Sequence, residues 1–303
     1  MTTLEGEKIL ITGPTSQVAK PVAQALAKDN EVWGVARFSD AKAKAALESA
    51  GVRCVTADLA AGDFSAVPAD VSYVLNFAVA RTGDFDYDLA ANSEALGLLM
   101  SRCSGARALL HCSSTAVYQP DGHHRFAEDD PLGDNHRVMM PTYSIAKICA
   151  ESMARYVARQ HGIPTTIARL NVPYGNNGGW PYYHLEMMLA KMDIPVHPDA
   201  PCLYNPIHED DIIREIPALL AAASVPATVV NWGGDEEVSI EEWCAYLGEL
   251  VGVEPHLVPS DEALESVAID TTKQHELLGH TTVGWKDGFR RLVERFHPEL
   301  LKA

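Results

Sequence analysis

The chain is short of positive charge. It carries 24 Lys and Arg against 41 Asp and Glu, a formal net charge of −17. Phosphate polymers and anionic membranes would be repelled, so neither nucleic acid nor a membrane is expected as a partner. The six cysteines (Cys54, Cys103, Cys112, Cys149, Cys202, Cys244) are scattered, with no CxxC pair. That excludes a zinc-ribbon spacing and a disulfide framework, and fits free thiols in a reducing compartment. No apolar run is long enough to span a bilayer. Met1–Lys8 is polar and acidic, without a basic start followed by an apolar stretch, so no signal peptide is expected and the protein reads as cytoplasmic. Internal repeats and low-complexity tracts are also missing. What remains is a chain of 303 residues, 47% apolar and 21% charged, the profile of a globular protein with room for a sizeable core.

Short apolar runs alternate with helical patterns through the first half. Strands are expected at Lys8–Thr12, Glu31–Ala36, Val52–Ala57, Val71–Ala78, Ala108–Ser113 and Thr165–Leu170. Helices are expected at Gln17–Asp29, Asp40–Ala50, Asp86–Cys103 and Tyr143–His161. Such alternation implies βαβ units, and near-continuous apolar strands such as Ile9-Leu10-Ile11 imply a sheet buried on both faces. The fold class is therefore α/β, a doubly wound parallel sheet with a smaller C-terminal α/β portion. After Asn171 the rhythm breaks. Gly175-Asn176-Asn177-Gly178-Gly179 reads as a loop, followed by helices at Tyr182–Lys191, Asp210–Ala223, Ser239–Val251 (with Ser239 and Glu242 as a capping box) and Lys286–Arg295, and a strand at Thr228–Asn231. Two portions result: a nucleotide-binding part over 1–171 and a mainly substrate-binding part over 172–303, of which about 203–225 returns to the first sheet.

Three local features carry chemistry. Tyr143-Ser144-Ile145-Ala146-Lys147 places a phenol and an ammonium one helical turn apart, on one face. A free phenol ionises near pH ~10, and a neighbouring cation favours the phenolate, so such a pair can pass a proton at a substrate oxygen. Strand Ile9–Thr12 runs into Gly13-Pro14-Thr15-Ser16-Gln17-Val18-Ala19 and then a helix, the place of a dinucleotide-binding turn. Ser16 and Ala19 replace its second and third glycines, and the helix N-terminus would face the phosphates. The second strand ends in Arg37 and Ser39, not in an acid for a ribose 2′-hydroxyl, which points to NADP with NAD as the alternative.

With these pieces in order, the sequence resembles the extended short-chain dehydrogenase/reductase family, the NAD-dependent epimerases and dehydratases built on a Rossmann sheet. Further markers carry the resemblance: Asp58-Leu59, Asn76-Phe77-Ala78, Asn92, Ser113-Ser114-Thr115-Ala116-Val117-Tyr118, Glu128-Asp129-Asp130-Pro131-Leu132, Arg169 to Gly175, Ile207-His208-Glu209-Asp210-Asp211 and Asn231-Trp232-Gly233-Gly234. The resemblance implies Ser114, Tyr143, Lys147 and Asn92 as the catalytic set. It places the cofactor against Gly13, Thr15, Ser16, Gln17, Val18, Arg37, Asp58, Leu59, Phe77, Ala78, Tyr143, Lys147 and Val172. It places the substrate against Ser114, Thr115, Tyr143, Asn171, Trp180 and Tyr204. It also implies a homodimer through the helix after Asp86 and the Tyr143 helix.

Two departures bear on substrate. Family members acting on nucleotide-diphosphate sugars commonly carry an Arg where Tyr204 stands, four residues before His208, and Lys191 is the only Lys or Arg between Val172 and Ile213. A buried diphosphate needs cations, so a non-nucleotide substrate is expected. Thr115-Ala116 offers no carboxylate after Ser114, which disfavours dehydration. The leading expectation is hydride transfer between a nicotinamide and a secondary alcohol or ketone. Its alternatives are an NAD-dependent sugar epimerase working through a transient ketone, and a non-catalytic NADP sensor. Met187 and Met188 are read as core, His208 as ordering a helix start, and Cys112 and Cys149 as inert. His123-His124 with Asp121 and Glu128 lack fixed-face spacing, and no metal is expected.

Overall fold

Apolar strands need cover on both faces, and the alternation of the first half supplies it. The computed structural model describes residues 4–301. In chain order it contains β1 (Lys8–Thr12), α1 (Ala19–Leu26), β2 (Glu31–Ala36), α2 (Ala41–Ser49), β3 (Arg53–Thr56) and β4 (Tyr73–Asn76). A broken helix follows: α3 (Phe85–Leu89), a π-helical turn over Ala90–Glu94, and α4 (Ala95–Arg102). Then come β5 (Ala108–Ser114), α5 (Tyr143–His161) and β6 (Thr165–Leu170). The second half holds β7 (Val172–Gly175), β8 (Gly178–Gly179), α6 (Trp180–Leu189), β9 (Ile194–Val196), β10 (Leu203–Tyr204), β11 (Pro206–His208) and α7 (Glu209–Ala221). It ends with β12 (Thr228–Trp232), β13 (Val238–Ser239), α8 (Ile240–Val251), β14 (Leu257–Pro259), α9 (Thr272–Leu278) and α10 (Trp285–Phe296).

Seven of these strands form one parallel sheet, ordered β12-β6-β5-β4-β1-β2-β3. The order reverses between β1 and β4, where a doubly wound sheet opens its crevice. Residue parity decides what each face meets. Ile9, Ile11, Leu75 and Leu110 pack with Val22 of α1 and Ile216 and Leu219 of α7. Leu10, Val74 and Leu109 pack with Leu96 and Leu99 of α4 and Ala154 of α5. A third core, around Leu185, Trp243, Leu247 and Phe289, belongs to the C-terminal portion. Met188 lies in it, as expected, and the Ser239–Glu242 capping box forms at the start of α8.

Of the expected return over about 203–225, helix α7 lies on the main sheet, whereas the strands of that stretch do not join it. β10 pairs with β13 and β11 with β7, outside that sheet. The returning elements are α7, which covers one face, and β12, which lies beside β6. Tyr204 and Val238, paired across β10 and β13, pack in the third core. The expected loop at 175–179 is a tight hairpin, β7 running antiparallel to β8. α9 is not among the helices expected from the sequence. No described helix is long and apolar enough to cross a membrane.

One ion pair crosses from sheet to helix with almost no water around it. Arg169 on β6 donates from Nε and Nη2 to the two carboxylate oxygens of Glu151 on α5, at 3.0 and 2.9 Å. The two side chains are 1% and 2% exposed. Glu151 also accepts from Ser113 Oγ at 2.7 Å, and Arg169 donates to the Glu128 carbonyl at 3.0 Å. Removing one partner of such a pair strands the other charge, at a cost of about 3–5 kcal/mol. Glu151→Ala is therefore expected to lower the urea unfolding midpoint by a corresponding amount, and an unchanged midpoint would show that Arg169 finds other compensation.

Candidate active site

The site is built where β1, β4 and β5 end. All seven residues of β5 are buried. Its pairing with β4 stops at His111, whereas its pairing with β6 continues to Ser114. The carbonyl of Cys112 lies one residue beyond the last β4 pair. Lys147 Nζ donates to it at 2.7 Å. Lys147 is 4% exposed, so this bond fixes where a buried ammonium points. Tyr143, one turn earlier on α5, is half-buried, and Lys147 Nζ lies 6.0 Å from its ring centroid. Ser114 ends β5, and its Oγ accepts from Ala116 N–H at 3.2 Å, capping the short turn Thr115–Val117 that packs against α5. Ser114, Tyr143 and Lys147 thus converge on the same end of the sheet.

Neighbours missing from the sequence reading hold α5 in place. Thr142 Oγ1 donates to Asp88 at 2.6 Å, and the fully buried Asp88 also takes the Thr82 amide and hydroxyl and the Gly83 amide. His136 lies 5.6 Å, ring to ring, from Tyr143, and its amide donates to Ser144 Oγ at 3.3 Å. Burial pushes His136 down to about 4, so a neutral imidazole faces the phenol. Asn92 sits in the π turn. Its side chain exchanges two bonds with Ala80, amide to Oδ1 and Nδ2 to carbonyl, each 2.8 Å, and donates to the Asp88 carbonyl at 2.7 Å. Its side chain therefore grips the segment after β4.

Beneath the site runs a buried relay. Ala78 N–H donates to Thr12 Oγ1 (3.1 Å), and the Thr12 hydroxyl donates to Asn76 Oδ1 (2.7 Å). Asn76 Nδ2 lies 2.9 Å from His111 Nδ1, which must then be the acceptor, leaving the proton on Nε2. Burial, with the Lys147 charge beside it, holds His111 well below the ordinary imidazolium range. Burial likewise pushes the Cys112 thiol up to about 11, the inert thiol expected.

A cleft of ≈ 210 Å³ opens at the strand-order reversal. Its lining includes Gly13, Thr15, Ser16, Arg37, Asp58, Leu59 and Ala78. Gly13 has φ +63, and a Cβ there would stand 2.8 Å from Ala78 Cα, so only glycine leaves this floor open. Arg37 is exposed on the rim and donates to Tyr87 Oη at 3.2 Å, which in turn donates to Asp58 at 3.1 Å. Phe38 follows in the left-handed region, φ 48, turning the chain toward Asp40, which caps α2. A glycine floor, a helix start, and an Arg and an Asp joined through the Tyr87 hydroxyl at the rim fit a dinucleotide.

Other expected contacts are elsewhere. Val18 packs on the first core and Phe77 is 5% exposed within it. Val172 and Tyr204 are buried in the third core, and Tyr204 Oη is bonded to the Glu265 carbonyl. Trp180 packs edge-on to Tyr204 and Trp243 at 5.0 and 5.6 Å. Gln17 Nε2 reaches the carbonyls of Pro173 (3.1 Å) and Gly178 (3.4 Å), binding the turn to the β7–β8 hairpin instead of lining the cleft. Asn171 bridges buried partners: it accepts from Asn205 N–H and donates to the Val267 carbonyl and, at 3.4 Å, Thr115 Oγ1. His208 caps α7, as expected. His123 and His124 turn to different partners, the Asp199 carbonyl and Asp130.

The model of a family described as the NAD dependent epimerase/dehydratase family matches residues 9–231. No curated protein matches. Among solved structures, the fold is similar to that of a UDP-glucuronic acid 4-epimerase from Bacillus cereus in complex with UDP-glucuronic acid and NAD, at 23% identity over 94% of this chain and 97% of that one, TM-score 0.81. It is similar to a UDP-glucose 4-epimerase from Thermotoga maritima with UDP-glucose, at 20% identity over 97% and 99%, TM-score 0.82. It is similar as well to a UDP-N-acetylglucosamine 4-epimerase from Methanobrevibacter ruminantium M1, at 14% identity over 98% and 100%, TM-score 0.83. At these identities the likeness is one of fold, and it includes the C-terminal portion.

Proposed function

This chain belongs to the NAD dependent epimerase/dehydratase family, and from that premise we propose that it is an NADP-dependent oxidoreductase acting on a secondary alcohol or ketone that is not a nucleotide sugar. The observation that carries this reading is the Lys147–Cys112 carbonyl bond, which aims a buried cation at the end of the sheet beside Tyr143 and Ser114. A nicotinamide supplies or accepts the hydride when bound. Tyr143 moves the proton on the substrate oxygen, Ser114 hydrogen-bonds that oxygen, and Lys147 holds the ribose and favours the phenolate. Asn92 is the positioning residue, acting through the segment after β4. Gly13, Thr15, Ser16, Asp58, Leu59 and Ala78 bind the dinucleotide, and Arg37 pairs with a 2′-phosphate.

The substrate reading rests on charge. Lys191, the only cation between Val172 and Ile213, is exposed, and Tyr204 is sealed in the aromatic core. Neither can neutralise a buried diphosphate. A second reading, epimerisation of a nucleotide sugar with retained NAD, draws on the similar structures that hold UDP-sugars and NAD. We assign the substrate part to residues 172–303 outside α7 and β12, and a homodimer to the outer faces of α4 and α5, where Leu98 and Tyr156 are exposed.

Tyr143→Phe is expected to abolish turnover while leaving the dissociation constant for NADPH nearly intact; wild-type turnover in this variant would remove the phenol from the chemistry. Arg37→Asp is expected to shift the ratio of NADPH to NADH dissociation constants toward NADH by roughly tenfold or more, the loss of a charge-assisted contact, and an unmoved ratio would overturn the 2′-phosphate assignment. An oxidoreductase exchanges its cofactor, whereas an epimerase regenerates it on the enzyme. Protein denatured after purification is therefore expected to release little nicotinamide absorbance, and near-stoichiometric NAD would favour epimerisation.

A further inference from the structure

We propose that Asp235, His275 and His280 form a binding site for a divalent late first-row transition metal of the zinc class. Asp235 lies about forty residues before the two histidines, and the three come from different segments: the turn after β12, helix α9, and the loop before α10. His275 Nε2 lies 3.0 Å from Asp235 Oδ1, and His280 Nδ1 lies 2.8 Å from Oδ2. The donor atoms all fall within 4.8 Å of one another. A tetrahedral ion with bonds near ~2.0–2.1 Å spaces its ligand atoms about 3.3 Å apart, so small side-chain movements admit it. The rings face each other around one carboxylate, with centroids 4.1 Å apart. In that arrangement the metal takes the place of the two protons that the imidazoles offer Asp235: each ring binds through the nitrogen that now donates, and its proton passes to solvent from a charged ring or to the other ring nitrogen of a neutral one.

The backbones under these side chains are already fixed. Fully buried Gln274, beside His275, exchanges two amide bonds with Gly233, at 2.9 and 2.7 Å, which sets α9 against the turn carrying Asp235. Asp235 and Thr281 bond reciprocally, amide to side chain, at 3.2 Å each way. The next residues, Thr282 and Val283, donate their amides to buried Asp211 at 2.8 and 2.9 Å. Arg214 donates to the His280 carbonyl at 2.8 Å. Its charge is taken by Asp211 (2.9 Å) and Glu215 (2.7 Å), so the surroundings stay negative. The side chains themselves stay within reach of solvent: His280 is 73% exposed, His275 27% and Asp235 26%. A water can complete the coordination.

Two imidazoles and one carboxylate select zinc, nickel or copper over magnesium and calcium, which prefer oxygen ligands. None of the three residues belongs to the cleft or to the Tyr143 group. The bound ion would clip α9 and the loop before α10 to the end of β12. Its role is thus to hold the C-terminal portion on the sheet.

The test is calorimetric titration of ZnCl2 into chelator-treated full-length protein, repeated with His280→Ala, His275→Ala and Asp235→Asn. One zinc per chain is expected for the wild type, roughly tenfold or more weaker binding in each variant, and no heat with MgCl2. A zinc-induced rise in melting temperature is expected in the wild type and absent in His280→Ala, which removes an exposed ring and leaves the fold intact. Wild-type affinity and stoichiometry in His280→Ala, or no zinc bound by the wild type, would overturn the site.

Discussion

A guanidinium withdrawn from water must be met by a carboxylate, and in this protein the pair so formed joins the sheet to the helix that carries its chemistry. Arg169 and Glu151 fix the rotation of α5 about its axis. Glu151 lies one turn beyond Lys147, and Lys147 one turn beyond Tyr143, so the same face of α5 that carries the ion pair also carries the ammonium and the phenol. Ser113, bonded to Glu151, precedes Ser114 by one residue in β5, so the same pair also anchors the strand end that carries Ser114. The pair therefore sets both the helix and the strand end.

The two portions of the chain are coupled at the glycine turn. Gln17 reaches into the β7–β8 hairpin, and Asn177 of that hairpin donates back to the carbonyl of Gln17 at 3.1 Å. Glu209 at the start of α7 is buried, which raises its carboxyl, while amides of Asn176 and Asn177 pull the other way. A ligand that orders the turn around Thr15 and Ser16 would thus be felt in the hairpin that opens the C-terminal portion.

Much of this was legible in the sequence. The bounds of α5 were plain because a Tyr–Lys spacing sat inside a long helical pattern that ends at a glycine. The strand–turn–helix around Gly13 was equally local. What escaped depended on direction. Phe77 and Ala78 are adjacent, yet one fills a core and the other lines the cleft, since successive side chains at a strand end face opposite ways. Val172 and Tyr204 stand at motif positions but enter the third core. Asp88 carries no distinguishing motif in the sequence, yet it is fully buried. Its partners Thr82 and Thr142 lie on separate segments, and only the fold unites them.

The π-helical turn at Ala90–Glu94 has a consequence for how this chain can vary. A helix advances about 100° per residue, so a helix carrying one surplus residue re-phases everything that follows it. Here the surplus lets Asn92 face the strand end while Leu96 and Leu99 still meet the sheet. A shortening by one residue would force a choice between gripping the crevice and filling the core, which makes this stretch far less tolerant of length change than of substitution.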